Sequence, residues 1–291
     1  MTMISKNLNN TTTETNLEKQ TEQLRRSDGE LLAETEIQEW HPAVKLAARK
    51  SQQGQQYPYI FVPLEMGGSG RTHTVSEGSR RLLQEEISFQ DLQNMTELFY
   101  KKAFADPTLD QFIRSHNDPH GSRFAKWIHQ KLSGSTVWDQ DRRTRNLEPV
   151  EVAGGYNHVV HDRSSAHVAA WYSKKRPSNE VGRHFKLDEA RVWMRLHFWA
   201  MRESGIAEKS PSFADYYFRF IAHFVKVYEA MAPVYARDSL RWSANQRNIQ
   251  TYLDNGRVMK DVLGLSLEEA QLQIPEEERN DFDWPYNASP H

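Results

Sequence analysis

The sequence predicts an all-α protein, with a helical core, an irregular insertion and extra helices at its ends. Three observations carry this expectation. Apolar residues recur at helical spacing in several stretches after Ser88. Glycine, proline and small polar residues stand at the ends of those stretches. Nowhere do strand and helix patterns alternate in the way a nucleotide-binding sheet or a barrel requires.

The order of segments divides the chain into four parts. Residues 1–30, rich in Thr, Asn, Gln and Glu with almost no apolar periodicity, read as a disordered tail. Residues 31–87 form an N-terminal extension. In it LLAETEIQEWHPAVKLAARKSQQG suggests a helix interrupted at His41–Pro42, and QYPYIFVPLEMGGSGRTH an extended piece. The GGSG of Gly67 to Gly70 is not followed by Lys-Ser or Lys-Thr, so it reads as a linker and not as a phosphate loop. The helical core spans 88–242. A C-terminal extension, 243–291, carries one or two weaker helices and the acidic PEEERNDFDWPY, and reads as a cover or docking arm.

Within the core, SFQDLQNMTELFYKKAFAD places Phe89, Leu92, Met95, Phe99 and Phe104 near one face, and Asp106-Pro107 breaks it. Asp118 and Pro119 are expected as cap and first-turn residue of HGSRFAKWIHQKL. There His120, Phe124, Trp127 and Lys131 share a stripe, and Ser133-Gly134-Ser135 ends the helix. From Thr136 to Glu180 the chain reads as irregular and polar, a length of loop that is often functional. Next, FKLDEARVWMRLHFWAMRESG puts Leu187, Ala190, Trp193, His197 and Ala200 on one side, with Gly205 as terminator. Ser212 is the expected cap of the last long helix, where Phe213, Tyr217, Phe220, Phe224 and Val227 repeat and Pro233 imposes a kink or stop.

Composition narrows the chemistry. A formal net charge of -2 offers no overall field for nucleic acid or an anionic membrane. No run approaches 18 apolar residues and the start has no signal-type segment, so a cytoplasmic protein is expected. The absence of cysteine excludes disulfides, thiol nucleophiles and thiolate-bound metals. Nitrogen and oxygen must hold any metal, and twelve histidines supply candidates.

Three pieces resemble a group II truncated haemoglobin set inside a longer chain. LFYKKAFADPTLDQFI is similar to that family's B helix and following turn. HGSRFAKWIHQKLSGS is similar to its E helix, with Ser-Gly-Ser where the family has Gly-Gly-Pro, and LDEARVWMRLHFWAM to its G helix. The resemblance covers roughly 89–235 and implies a globin-like helical core binding b-type haem. It assigns His167 as the proximal iron ligand, Tyr100 as the distal hydrogen-bond donor and His120 as the distal histidine, these last two being the candidate catalytic residues. Ile113 falls at an aromatic position over the haem edge, Phe124 at the apolar wall, Arg123 at a propionate partner and Trp193 at the buried tryptophan of the G helix.

The residues themselves leave alternatives open. Small neighbours, Ala166, Val168 and Ala169, permit close approach to His167, and haem asks for one axial nitrogen in an apolar pocket. A buried Tyr100 phenol needs a partner, which a bound ligand or a carbonyl supplies equally. Phe124, Trp127 and Trp193 suit any helical core, and Trp171 either stacks near a porphyrin or covers the site. The resemblance implies binding of oxygen or another diatomic ligand, with an external electron donor for repeated turnover. Whether the chain is a carrier or an enzyme stays open. A haem-free globin-fold scaffold for a protein partner is one alternative. A non-haem metal enzyme using His158, His161, Asp162 and His167 is another.

Overall fold

The computed structural model describes residues 60–67, 72–145, 147, 149–228, 242, 246–259 and 272. Among them the chain is all-α apart from one two-stranded antiparallel sheet. No described helix is long and apolar enough to cross a membrane.

A short helix α1 (Glu77–Arg81) runs into a π-helical turn over Leu82–Glu86. The first long helix, α2 (Phe89–Ala103), starts where the sequence places it. Ser88 Oγ accepts the Asp91 amide, and the Asp91 carboxylate accepts the Ser88 amide. Its inner face is Leu92, Met95, Thr96, Phe99 and Ala103. After α3 (Pro107–Asp110) comes α4 (His120–Ser133), closed by Gly134 at φ 77°, where a left-handed residue ends the helix.

The start of α4 departs from expectation. Pro119 precedes its first residue and no side chain caps it. The Asp118 carboxylate pairs instead with Arg114 and Arg123.

Helices α2 and α4 cross in near contact at one residue. Thr96 Oγ1 donates to the Gly121 carbonyl at 2.8 Å, and a Cβ on Gly121 would stand 2.9 Å from Glu97 Cα and 3.0 Å from its nitrogen. Backbone cannot yield as a flexible side chain would. A Gly121→Val chain is therefore expected to lose about 1–3 kcal/mol of stability by forcing the helices apart. A lower urea midpoint at unchanged slope is the reading; an unmoved midpoint would mean the crossing tolerates separation.

The stretch read as irregular, Thr136 to Glu180, is largely built. It holds α5 (Val137–Thr144), a hairpin of β1 (Pro149–Glu151) and β2 (Asn157–Val159) with Val150 opposite His158, and α6 (Arg163–Trp171). The elements are short and polar, so none shows a long apolar period. The hairpin turn uses Gly154 and Gly155, both at positive φ. Asp162 begins α6 with a reciprocal cap to Ser165.

Helices α7 (Leu187–Glu203), α8 (Ile206–Lys209) and α9 (Pro211–Tyr228) complete the core, with Gly205 at φ 76° between α7 and α8. Ser210, not Ser212, caps α9. Its Oγ accepts the Phe213 amide at 3.0 Å, and Pro211 takes the first helical position, where no amide is needed. The long helices meet through aromatic side chains. Trp127 of α4 packs on Phe220 and Phe224 of α9, while Phe99 of α2 packs on Trp193 and His197 of α7.

Parts of both extensions lie on this core. Val62 and Leu64 are buried, Arg219 Nη2 donates to the Val62 carbonyl at 2.8 Å, and Met66 bridges to His73 around the Gly67 turn. From the other end, Tyr252 in α10 (Gln246–Asp254) donates to the Asp106 carboxylate at 2.9 Å, joined by Arg257. The tail of 1–30, the helix of 31–54, the kink at Pro233 and the acidic stretch 275–286 lie outside the described residues.

Candidate functional site

One cavity of about 460 Å³ gathers side chains from α2, α4, α6, α7 and α9 and from the insertion. Tyr100, Ile113, His120, Arg123, Phe124, Trp127, His167 and Trp193 all line it. Trp171, also singled out from the sequence, is placed elsewhere: its indole stacks on the His184 ring at 4.2 Å and 9°.

The wall from α2 and α4 is aromatic because the inner stripes of both helices converge there. Tyr100 stacks on His120 at 5.2 Å, with Phe124 edge-on to Tyr100 at 6.3 Å and stacked on Trp127 at 5.8 Å. Phe99 lies behind Tyr100 at 5.2 Å and reaches Trp193 at 6.2 Å. Tyr100 is half-buried and lines the cavity. Burial pushes its phenol up to about 12, so it stays a protonated donor.

His120 is anchored by Nε2 at 2.9 Å from the Ser115 carbonyl. Burial lowers its pKa, against the carbonyl and Asp118, which favour the charged form. A neutral ring bonded to a carbonyl through Nε2 carries its proton there and leaves Nδ1 as the acceptor. Coordination through Nε2 would first require breaking that bond.

Helix α6 supplies Ala166, His167, Ala169 and Ala170, so an imidazole stands in a wall of methyl groups. Phe185 meets the His167 ring edge-on at 5.5 Å and 89°. Glu189, in the first turn of α7, also reaches the cavity. It is buried, accepts the Lys186 amide at 2.6 Å and stands 3.4 Å from Arg176. Burial, with the neighbouring Asp188 carboxylate, holds its pKa up to about 8, against the downward pull of the Lys186 amide and ammonium and of Arg176.

The cavity also has basic groups. Arg123, Arg145 and Lys174 line it, Arg145 lying over the Trp138 ring at 4.3 Å and pairing with Asp141. Lys174 pairs with Glu151 of the hairpin at 2.6 Å. Trp138, Arg145, Phe185 and Glu189 were not singled out from the sequence. Only Glu189 left a sign, as an acid in a helix's first turn.

The suggested set of His158, His161, Asp162 and His167 does not converge. His158 Nε2 lies 3.0 Å from the Ser165 carbonyl, and the Asp162 carboxylate accepts the Ser165 amide at 2.8 Å. Among the described residues no group of three or more His, Asp or Glu could hold a metal ion.

Compared with family models, characterised proteins and solved structures, the chain shows no significant match.

Proposed function

We propose that the chain is a globin-like protein that binds b-type haem in this cavity, with His167 as its axial nitrogen. The observation that carries the reading is the convergence of His167, Tyr100, His120, Phe124, Trp127 and Trp193 on one cavity of about 460 Å³. That volume lies within the range of about 300–1,000 Å³ usual for cofactor and ligand pockets. The donor set fits the group: a single imidazole among alanines, aromatic walls, and arginine and lysine side chains suited to carboxylates.

When bound, haem would supply an iron site able to take a diatomic ligand. The chain's own residues then divide the work. His167 holds the group, Phe124, Trp127 and Trp193 exclude water, and Arg123, Arg145 and Lys174 meet its carboxylates. Tyr100 offers a phenolic hydrogen that burial keeps in place at any ordinary pH, and His120 packs on its ring.

The test is the visible spectrum of the full chain produced with adequate haem. A Soret band that shifts on reduction and on adding carbon monoxide supports the reading, and its absence overturns it. Tyr100→Phe separates the donor role from packing. It is expected to keep the band and to speed dissociation of a hydrogen-bonding ligand about tenfold, as loss of one bond of about 1–1.5 kcal/mol implies. Flash photolysis gives the rate, and an unchanged rate would remove Tyr100 from ligand contact.

A further inference from the structure

Arg176 stands nine residues beyond His167 in sequence, past the end of α6, and carries a charge with no exposed side-chain surface. Its bonds explain why it is there. Nη1 donates to the Trp171 carbonyl at 3.3 Å, at the last residue of α6, and to the Arg183 carbonyl. Nη2 donates to Glu189 of α7 at 3.4 Å and stands 3.7 Å from Glu180. The guanidinium also lies over the Phe112 ring at 4.8 Å.

These contacts lead back to the imidazole. Phe112 packs edge-on against Phe185 at 5.1 Å, and Phe185 meets His167 edge-on at 5.5 Å and Trp171 at 5.8 Å. The Trp171 carbonyl receives a second donor, the Gly182 amide at 2.8 Å, so the loop from 172 to 186 folds back on the end of α6. A nine-residue helix has little rigidity of its own. Its direction must come from what holds its ends.

We propose that Arg176 is a positioning residue for His167: it clamps the end of α6 to the start of α7 and backs Phe185, fixing the direction in which the imidazole enters the cavity. The proposal rests on the reading of His167 as the group that meets a bound cofactor. The planar fork is essential to it, since one guanidinium reaches two carbonyls and the Glu189 carboxyl group at once, whereas a lysine is a point donor.

The experiment is NMR of the full chain, cofactor-free as purified and again as a diamagnetic carbon monoxide complex, in wild type, Arg176→Lys and Arg176→Met. In wild type a cross-relaxation peak between the His167 and Phe185 rings is expected, with one set of His167 signals. In both variants that peak should weaken several-fold and the His167 signals shift or split. The Trp127 to Phe224 peak in the core should stay unchanged. Should Arg176→Met fail to fold, Arg176→Lys gives the same reading.

An unchanged His167 to Phe185 peak in the variants would overturn the proposal, leaving Arg176 as a loop fastener only. The iron-to-histidine stretching frequency of the reduced protein provides a second readout, expected to shift or broaden in the variants. If the ring peak depends on Arg176 but no haem is taken up, the haem reading falls and the positioning role stands. If haem binds and neither signal responds, the reverse holds.

Discussion

On the proposed reading, a His167→Ala chain is expected to lose the Soret band expected of the wild-type protein with haem, its affinity falling by at least about 100-fold. Loss of outer-shell partners alone commonly lowers metal affinity about 10–100-fold, and removing the ligand itself exceeds that. The side chain is half-buried on a short helix. Its removal should therefore leave the fold within about 1 kcal/mol of wild type, since the imidazole belongs to the cavity wall and not to the packed core.

Added imidazole should restore part of the band, because the methyl-lined wall of Ala166, Ala169 and Ala170 leaves space for a free ring. Absorbance titration with haem provides the measurement. A retained band would move the axial role to another histidine. His120 would then have to give up its bond to Ser115, so His120→Ala in the same background distinguishes that case. A band missing from wild type and variant alike would favour a haem-free scaffold. Circular dichroism confirms that each chain is folded.

The long helices were legible in the sequence because each buries a face long enough to show its period. Phe99 and Leu92 on α2, Trp127 and Phe124 on α4, and the aromatic series of α9 needed no tertiary information. Gly134 and Gly205 marked ends through chemistry that does not depend on the fold. The insertion was not legible for the opposite reason. Three-residue strands with exposed flanks and a polar eight-residue helix carry too few apolar positions for any period to emerge.

The site divides in the same way. Residues on the long helices could be picked out, whereas Arg145, Trp138 and Phe185 reach the cavity only through packing of segments distant in sequence. Trp171 shows the limit of helical spacing. It stands four residues after His167, nominally on the same face, but at the last turn of α6. The bond from Gly182 to the Trp171 carbonyl folds the following loop back, and His184 lies over the indole.

Stability is expected to fall as pH rises through the range in which folded and unfolded chains differ at Glu189. The carboxyl has an ordinary value of 4.5 and is held up to about 8 in the fold. Below 4.5 both states hold the proton and the group contributes nothing to pH dependence. Between the two values the unfolded chain has released its proton and the folded chain keeps it, so rising pH favours unfolding. Above 8 both are ionised and the full loss is present. The whole span corresponds to a loss on the order of 5 kcal/mol, of which about 2 kcal/mol falls between pH 6.5 and 8.

The comparison with a variant isolates the effect. His197 and His73, lowered by burial to about 3 and about 4, and His120 and His129, also lowered by burial, act in the opposite direction and are half protonated in the unfolded chain at pH 6.5, equally in wild type and variant. Glu189→Gln keeps an acceptor for the Lys186 amide, as glutamine serves at this capping position. Arg176 retains Glu180 at 3.7 Å and two carbonyls. Urea denaturation at pH 6.5 and 8.5 should therefore show wild type losing about 2 kcal/mol of stability relative to the variant over that interval. The same pH response in wild type and variant would mean that the Arg176 guanidinium and the Lys186 amide outweigh burial, and that Glu189 faces the cavity as a carboxylate.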